Sequence, residues 1–122
     1  MLVDDELSIL ELYKLLFISV GFEIAGMAKN GKEAVELYKS LNDKPDVIIM
    51  DHRMPIMNGI EASREILEYD SNAKIIFASA DLTIQKEATL LGIISFKGKP
   101  FDTKRLINNV KKAMEQPINS YH

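Results

Sequence analysis

Asp51 ends a short apolar run, Val47-Ile48-Ile49-Met50, and opens a stretch rich in turn formers, His52-Arg53-Met54-Pro55-Ile56-Met57-Asn58-Gly59. Asp4 and Asp5 follow another apolar run, Met1-Leu2-Val3, and Lys99-Pro100-Phe101 follows a third. Open α/β sheets place their chemistry at the carboxyl ends of the strands. Three acids and one lysine at such exits suit a divalent cation and a phosphoryl group: oxygens ligate the one and an ammonium holds the other. Ser79 closes a fourth run, Phe77-Ala78-Ser79-Ala80-Asp81. A hydroxyl there can donate to an anionic oxygen, and small Ala80 leaves space for an incoming group.

If the first and third strands are neighbours, Asp4, Asp5 and Asp51 converge. Two like charges at about 4 Å repel by roughly 4 kcal/mol at an effective dielectric of about 20. Three such pairs would cost on the order of 10 kcal/mol, against about 5–15 kcal/mol of net stability for a small domain. The cluster must splay, take up protons or bind a cation. Oxygen-only ligands favour Mg²⁺, with Mn²⁺ as the alternative, over zinc. Plainer readings stand beside these. Asp4 and Asp5 also suit helix caps, Asp51 and Ser79 turns, and Lys99 the surface. Two acids ahead of one helix exceed what capping uses, and Pro100 restricts the lysine before it, a cis bond being one way. Lys97 is close by but is expected to point elsewhere, so Lys99 is preferred.

The elements that must position these groups alternate in kind. Helices are predicted over Leu7 to Val20, Lys32 to Leu41, Ile60 to Tyr69, Thr83 to Leu91 and Thr103 to Met114. The first carries Ile9, Leu12, Tyr13, Leu16 and Val20 at helical spacing; Asp5 is placed to cap it and Gly21 to end it. Asn30-Gly31 is a turn and a cap for the second. Strands are predicted over Met1 to Val3, Phe22 to Ala28, Val47 to Met50, Lys74 to Ala78 and Ile93 to Phe96. The third is apolar throughout, as for a strand buried on both faces. The first is short: either it is brief or the chain starts late. Five βα units of roughly 20–25 residues imply a parallel sheet with right-handed crossovers.

A chain of 122 residues is one domain, read as residues 1–116, with 117–122 a polar tail or the remnant of a linker. A net charge of −3 gives no general attraction for nucleic acid or an anionic membrane. Zero cysteines exclude disulfides and thiolate metal sites and fit the cytoplasm. No apolar run reaches the roughly 20 residues of a membrane span, and no leader pattern opens the chain.

Together, Val3-Asp4-Asp5-Glu6, Asp51 to Gly59, Ser79-Ala80 and Lys99-Pro100-Phe101 make the whole chain resemble the receiver domain of two-component response regulators. The resemblance implies a flavodoxin-like (CheY-like), doubly wound five-stranded parallel sheet of order 2-1-3-4-5 with five helices, two on one face and three on the other. It implies that Asp51 takes a phosphoryl group from the phosphohistidine of a sensor kinase or of a histidine phosphotransfer protein. Asp5 and Asp51 would ligate Mg²⁺ through side chains, Arg53 through its backbone carbonyl and Asp4 through water. Ser79 and Lys99 would bind phosphoryl oxygens. Phe96 stands at the family's aromatic switch position, its plainer reading being core. Its turning would alter the face made by the fourth helix, fifth strand and fifth helix, where a downstream effector binds. Asn58 stands where the family more often has aspartate. Arg53 and Asp81 flank the site mouth and are expected to form an ion pair that slows attack by water.

Three other readings compete. A haloacid-dehalogenase-like phosphatase also phosphorylates an aspartate after a strand, but needs an acid two residues on, where this chain has Arg53. A flavodoxin-like cofactor binder wants free amides after its first strand, where this chain has Asp4-Asp5-Glu6. A degenerate receiver would bind partners without phosphorylation, against which the residue set is complete. The expected role is therefore a phosphoacceptor, with no residue assigned to turnover of a separate substrate.

Overall fold

Ile75-Ile76-Phe77-Ala78 has no polar face, so it can lie only inside a sheet covered on both sides. In the computed structural model of the protein, which describes residues 1–99 and 102–115, this run lies in β4 (Ile75–Ser79), buried along its whole length. Its neighbours are β3 (Ile48–Met50) and β5 (Ser95–Gly98). Beyond β3 lie β1 (Leu2–Val3) and β2 (Met27–Ala28), so the sheet is parallel with order β2-β1-β3-β4-β5. The expected sheet order is the observed one.

Five helices connect and cover the strands: α1 (Leu7–Ser19), α2 (Gly31–Ser40), α3 (Gly59–Tyr69), α4 (Gln85–Leu90) and α5 (Thr103–Glu115). Strand alternation divides the core in two. Val3, Ile48, Met50, Ile75 and Phe77 pack with residues of α2, α3 and α4, whereas Leu2, Ile49, Ile76 and Ala78 pack with residues of α1 and α5. Two helices thus cover one face and three the other. Asn30 caps α2, its Oδ1 accepting from the Glu33 amide at 2.9 Å. Asn58 caps α3 in a reciprocal capping box with Glu61.

Several boundaries differ from expectation, each for a physical reason. β2 spans only Met27–Ala28, because a strand exists where a neighbour pairs with it, and β1 offers two paired residues. β5 runs Ser95–Gly98 rather than Ile93–Phe96, because its ladder follows β4 through Ser79 opposite Gly98. The fourth helix begins as a 3₁₀ turn at Leu82–Ile84, where Asp81 Oδ1 accepts from the Thr83 amide at 3.1 Å. Asp5 does not cap α1: Glu6 is the capping residue, and its amide donates to Asp4 Oδ1 at 3.0 Å. In α1 the buried stripe is Leu10, Tyr13 and Phe17, while Leu12 and Val20 face water. Pro100, Phe101 and residues 116–122 lie outside the described residues.

The loop from Asp51 to α3 is held tightly against the sheet. Ile56 has φ of 70°, and the Met57 amide donates to the Pro55 carbonyl at 2.7 Å, closing a γ-turn. Gly59 returns its amide to the His52 carbonyl at 2.9 Å. A Cβ at Gly59 would collide with the Asp51 carbonyl oxygen, which is backbone and cannot swing away. Gly59→Ala should therefore destabilise the fold by about 1–3 kcal/mol, as read by urea denaturation. An unchanged midpoint would show that the loop yields.

Candidate functional site

Backbone ladders bring the chemistry-bearing residues together. The Asp4 amide donates to Ala28 of β2, the Asp51 amide to Val3 of β1 at 2.9 Å, and the Lys99 amide to Ser79 of β4 at 2.8 Å. Each residue follows the last hydrogen-bonded turn of its strand, so its side chain emerges at the carboxyl edge of the sheet. Asp4, Asp51 and Ser79 are buried there, Asp5 is exposed, and Lys99 lies between.

The Lys99 ammonium closes the arrangement. Its Nζ lies 3.0 Å from Asp4 Oδ2 and 3.5 Å from Asp51 Oδ1. Two buried carboxylates thus share one cation, which is the separation of like charge that the cluster demanded. Asp5 and Glu6 add to it: carboxylate oxygens of Asp4, Asp5 and Glu6 all lie within 4.8 Å of one another. Glu6 is a site neighbour that sequence reasoning passed over, and its adjacency to the acidic pair was the available signal. Asp51, the acid meant to complete the cation site, is not among these three and meets only Asp4, through Lys99.

The electrostatics follow the burial. Desolvation and then the charge of Asp4 push the Asp51 carboxyl from 3.8 up to about 6, against the pull of Lys99. Burial alone would lower the Lys99 ammonium; Asp51, the Asp4 hydrogen bond and the Asp4 charge outweigh it and raise it. Burial also pushes up the Tyr13 phenol of α1, which lies in the field of Lys99, Asp4 and Asp51. Tyr13 too was not singled out from sequence, where it reads as one more core position of a helix.

Around this centre lie the remaining candidates. Ser79 Oγ accepts from the Asp81 amide at 3.0 Å, which leaves its proton free to donate. Arg53 Nη2 stands 3.3 Å from Asp81 Oδ2, with the arginine 79% exposed and the aspartate much less so. Hydrogen bonds from the Thr83 hydroxyl and amide, and then Arg53, hold the Asp81 carboxyl below its ordinary range. Phe96 is half-buried and stacks on Phe77, ring centroids 6.1 Å apart at 18°. Lys97 makes none of the contacts that Lys99 makes; alternation does not separate the two, since residues two apart share a face, and Lys99 differs in lying past the last residue of β5, Gly98.

A doubly wound sheet of order β2-β1-β3-β4-β5, with acids at the ends of β1 and β3 and a lysine after β5, defines a class of signalling domain. The model of the response regulator receiver domain matches residues 1–111, and the chain belongs to that family. It is 43% identical over 115 residues to the chemotaxis protein CheY of Thermotoga maritima, covering 93% of this chain and 94% of that protein. Among solved structures, the CheX–CheY–BeF₃–Mg²⁺ complex of Borrelia burgdorferi superposes with a TM-score of 0.85 at 33% identity, over 91% of this chain and 84% of that one. Response regulator TrrA of T. maritima, in complex with Mg²⁺–BeF, does so with a TM-score of 0.83 at 34% identity, over 92% and 95%.

The donor set also fits a hard divalent cation on its own terms. It is all oxygen and partly open to water, and Asp4 and Asp51 share a single ammonium. Because the folded state holds the Asp51 proton more tightly than the unfolded chain, this group favours folding below about 3.8 and loses that contribution as pH rises through about 6. In buffer free of divalent cations, Asp51→Asn should melt above the wild type at neutral pH. The gap should close as pH falls from about 6 toward 3.8. A calorimetric difference that does not vary with pH would contradict this assignment of the strain.

Proposed function

We propose that this receiver domain is a phosphoacceptor: Asp51 takes a phosphoryl group from the phosphohistidine of a sensor kinase or histidine phosphotransfer protein. The carrying observation is the Lys99 ammonium suspended between Asp4 and Asp51. An Asp51 oxygen attacks phosphorus, the P–N bond to the donor imidazole breaks, and an acyl phosphate forms on Asp51. Such transfer requires positioning and charge neutralisation more than covalent help. Lys99 exchanges its Asp51 contact for a phosphoryl oxygen, and Ser79 donates its hydroxyl proton to another. Asp5, Asp51, the Arg53 carbonyl and, through water, Asp4 would hold Mg²⁺, or Mn²⁺ in its place, which when bound neutralises charge on the phosphoryl oxygens. The two relatives solved with Mg²⁺ and a beryllium fluoride support this reading.

Reset needs only water, which attacks phosphorus, releases inorganic phosphate and returns the carboxylate. In the same reading, Ser79 turning toward the phosphoryl group opens space beside Phe96. The ring then moves from its stack on Phe77 and reshapes the face of α4, β5 and α5 for a downstream effector. The cytoplasm is where such donors act, and among the described residues no helix is long and apolar enough to cross a membrane.

Incubation with acetyl phosphate and Mg²⁺ should add one phosphoryl group, seen by mass spectrometry and absent in Asp51→Asn. Mass gain on Asp51→Asn, or none on the wild type, would refute the assignment. The Arg53–Asp81 pair is exposed on its arginine side, so it adds little to stability. Its proposed role is to obstruct water at the site mouth. Arg53→Ala should shorten the phosphorylated half-life severalfold with little change in melting temperature; an unaltered half-life removes that role.

A further inference from the structure

Strand β1 is shorter than the space its neighbours leave for it. It pairs with β2 and β3 through Leu2 and Val3 only. Toward the amino edge of the sheet, residues 22–26 on the β2 side and 44–47 on the β3 side continue past it and line a cavity of about 460 Å³. The cavity lies at the opposite end of the strands from Asp51. Its floor is apolar: Phe17 of α1 and Val110 and Met114 of α5, with Phe22 and Ile24 at the side.

The backbone around the cavity is laid out for a further length of strand. Parallel ladders repeat their hydrogen bonds at every second residue. On the β2 side the Asp4 amide donates to the Ala28 carbonyl at 3.1 Å and the Leu2 amide to the Gly26 carbonyl at 3.0 Å. The next step back falls on the Gly26 amide and the Ile24 carbonyl. On the β3 side the Ile49 amide donates to the Met1 carbonyl at 2.9 Å, and the Met1 ammonium to the Val47 carbonyl at 2.9 Å. The next step back falls on the Val47 amide and the Pro45 carbonyl. None of these four groups has a backbone partner among the described residues. Pro45 has no N–H to donate, so the ladder stops there after about three residues.

We propose that this slot takes an extended peptide segment of a partner protein by strand addition, parallel to β1 and in line with it. Alternation sets the side chains of the guest. Leu2 packs with residues of α1 and α5, so the first and third guest residues point the same way, onto Phe17, Val110 and Met114, and are apolar. Charge sets the entrance. Glu23, Asp43 and Asp46 are exposed around the mouth. Lys44 beside them is committed elsewhere: its Nζ donates to the carbonyls of Tyr38, Lys39 and Leu41 at 2.6, 3.1 and 2.7 Å. Acids without a free counter-charge favour lysine or arginine ahead of the apolar residues. Amides and carbonyls at ladder spacing single out a peptide backbone, because an apolar cation of another kind would cover them without bonding them. The guest is a strand that opens basic and continues apolar.

The probe is the pentapeptide Lys-Lys-Ile-Thr-Ile, added to the full chain and followed by amide NMR. Binding should saturate. At saturation, hydrogen exchange at the Gly26 and Val47 amides should slow at least about tenfold, because both donate to the guest. A methyl on the amide nitrogen of the last isoleucine, which meets the Ile24 carbonyl, should weaken binding about tenfold. Lys-Lys-Thr-Ile-Thr turns its apolar residue to the other face and should also bind more weakly. Glu23→Lys and Asp43→Lys, both at exposed positions, should lower affinity severalfold and leave the melting temperature of the free chain unchanged. Absence of saturable binding would overturn the proposal. So would a methylated peptide that binds as well as its parent, which would give the slot to any apolar cation. Gly26 and Val47 amides already protected in the chain alone would also overturn it, giving the slot to residues 116–122 or to a second copy. Phosphorylation by acetyl phosphate is read separately at the other edge of the sheet, so failure here leaves the assignment of Asp51 standing.

Discussion

One shared cation governs this molecule. Asp4 and Asp51 are buried side by side at the ends of adjacent strands, and the Lys99 ammonium, 3.0 and 3.5 Å away, keeps their charges from forcing the strand ends apart. One positive charge between two negative ones is an incomplete settlement. The Asp51 carboxyl sits well above its ordinary range, and Asp5 remains turned to solvent. A site with one ammonium between two carboxylates attracts a divalent cation, and in the proposed reading that ammonium exchanges its Asp51 contact for a phosphoryl oxygen. Stability is given up at the place where the proposed chemistry needs it.

The scaffold exists to hold those three side chains in register. Asp51 is fixed by its amide bond to Val3, Lys99 by its bond to Ser79, and Asp4 by its bond to Ala28. A slip of one residue in any ladder would point a charged side chain into one of the two apolar cores. The loop after Asp51 is held with equal economy: Gly59 presses on the Asp51 carbonyl, and Asn58 with Glu61 closes the first turn of α3. An asparagine serves that cap as well as an aspartate would, because only the side-chain oxygen is used.

The outer face of α1 obeys a different constraint. Its inner residues Leu10, Tyr13 and Phe17 satisfy the core, so nothing in the fold requires Leu12 and Leu15 to be apolar. The helix is apolar nearly all round without being buried all round. Its period identified a helix correctly but did not say which of its apolar residues are inside: Tyr13 is buried, whereas Leu12 and Val20 face water.

Much was legible from one sequence because the informative signals are local. Apolar runs broken by Gly21, Asn30-Gly31 and Asn58-Gly59 determined the order and kind of elements, and with them a parallel sheet carrying Asp4, Asp5, Asp51, Ser79 and Lys99 at its carboxyl edge. Contacts between distant segments decided the rest. Which acid of the pair turns inward to Lys99, how far β2 and β5 extend, how Glu6 and Tyr13 enter the site, and which face of α1 meets water all depend on a partner far along the chain. Hydropathy records whether a residue can be buried; only the packed neighbour, by supplying or withholding a hydrogen bond, a charge or a covering side chain, settles whether it is.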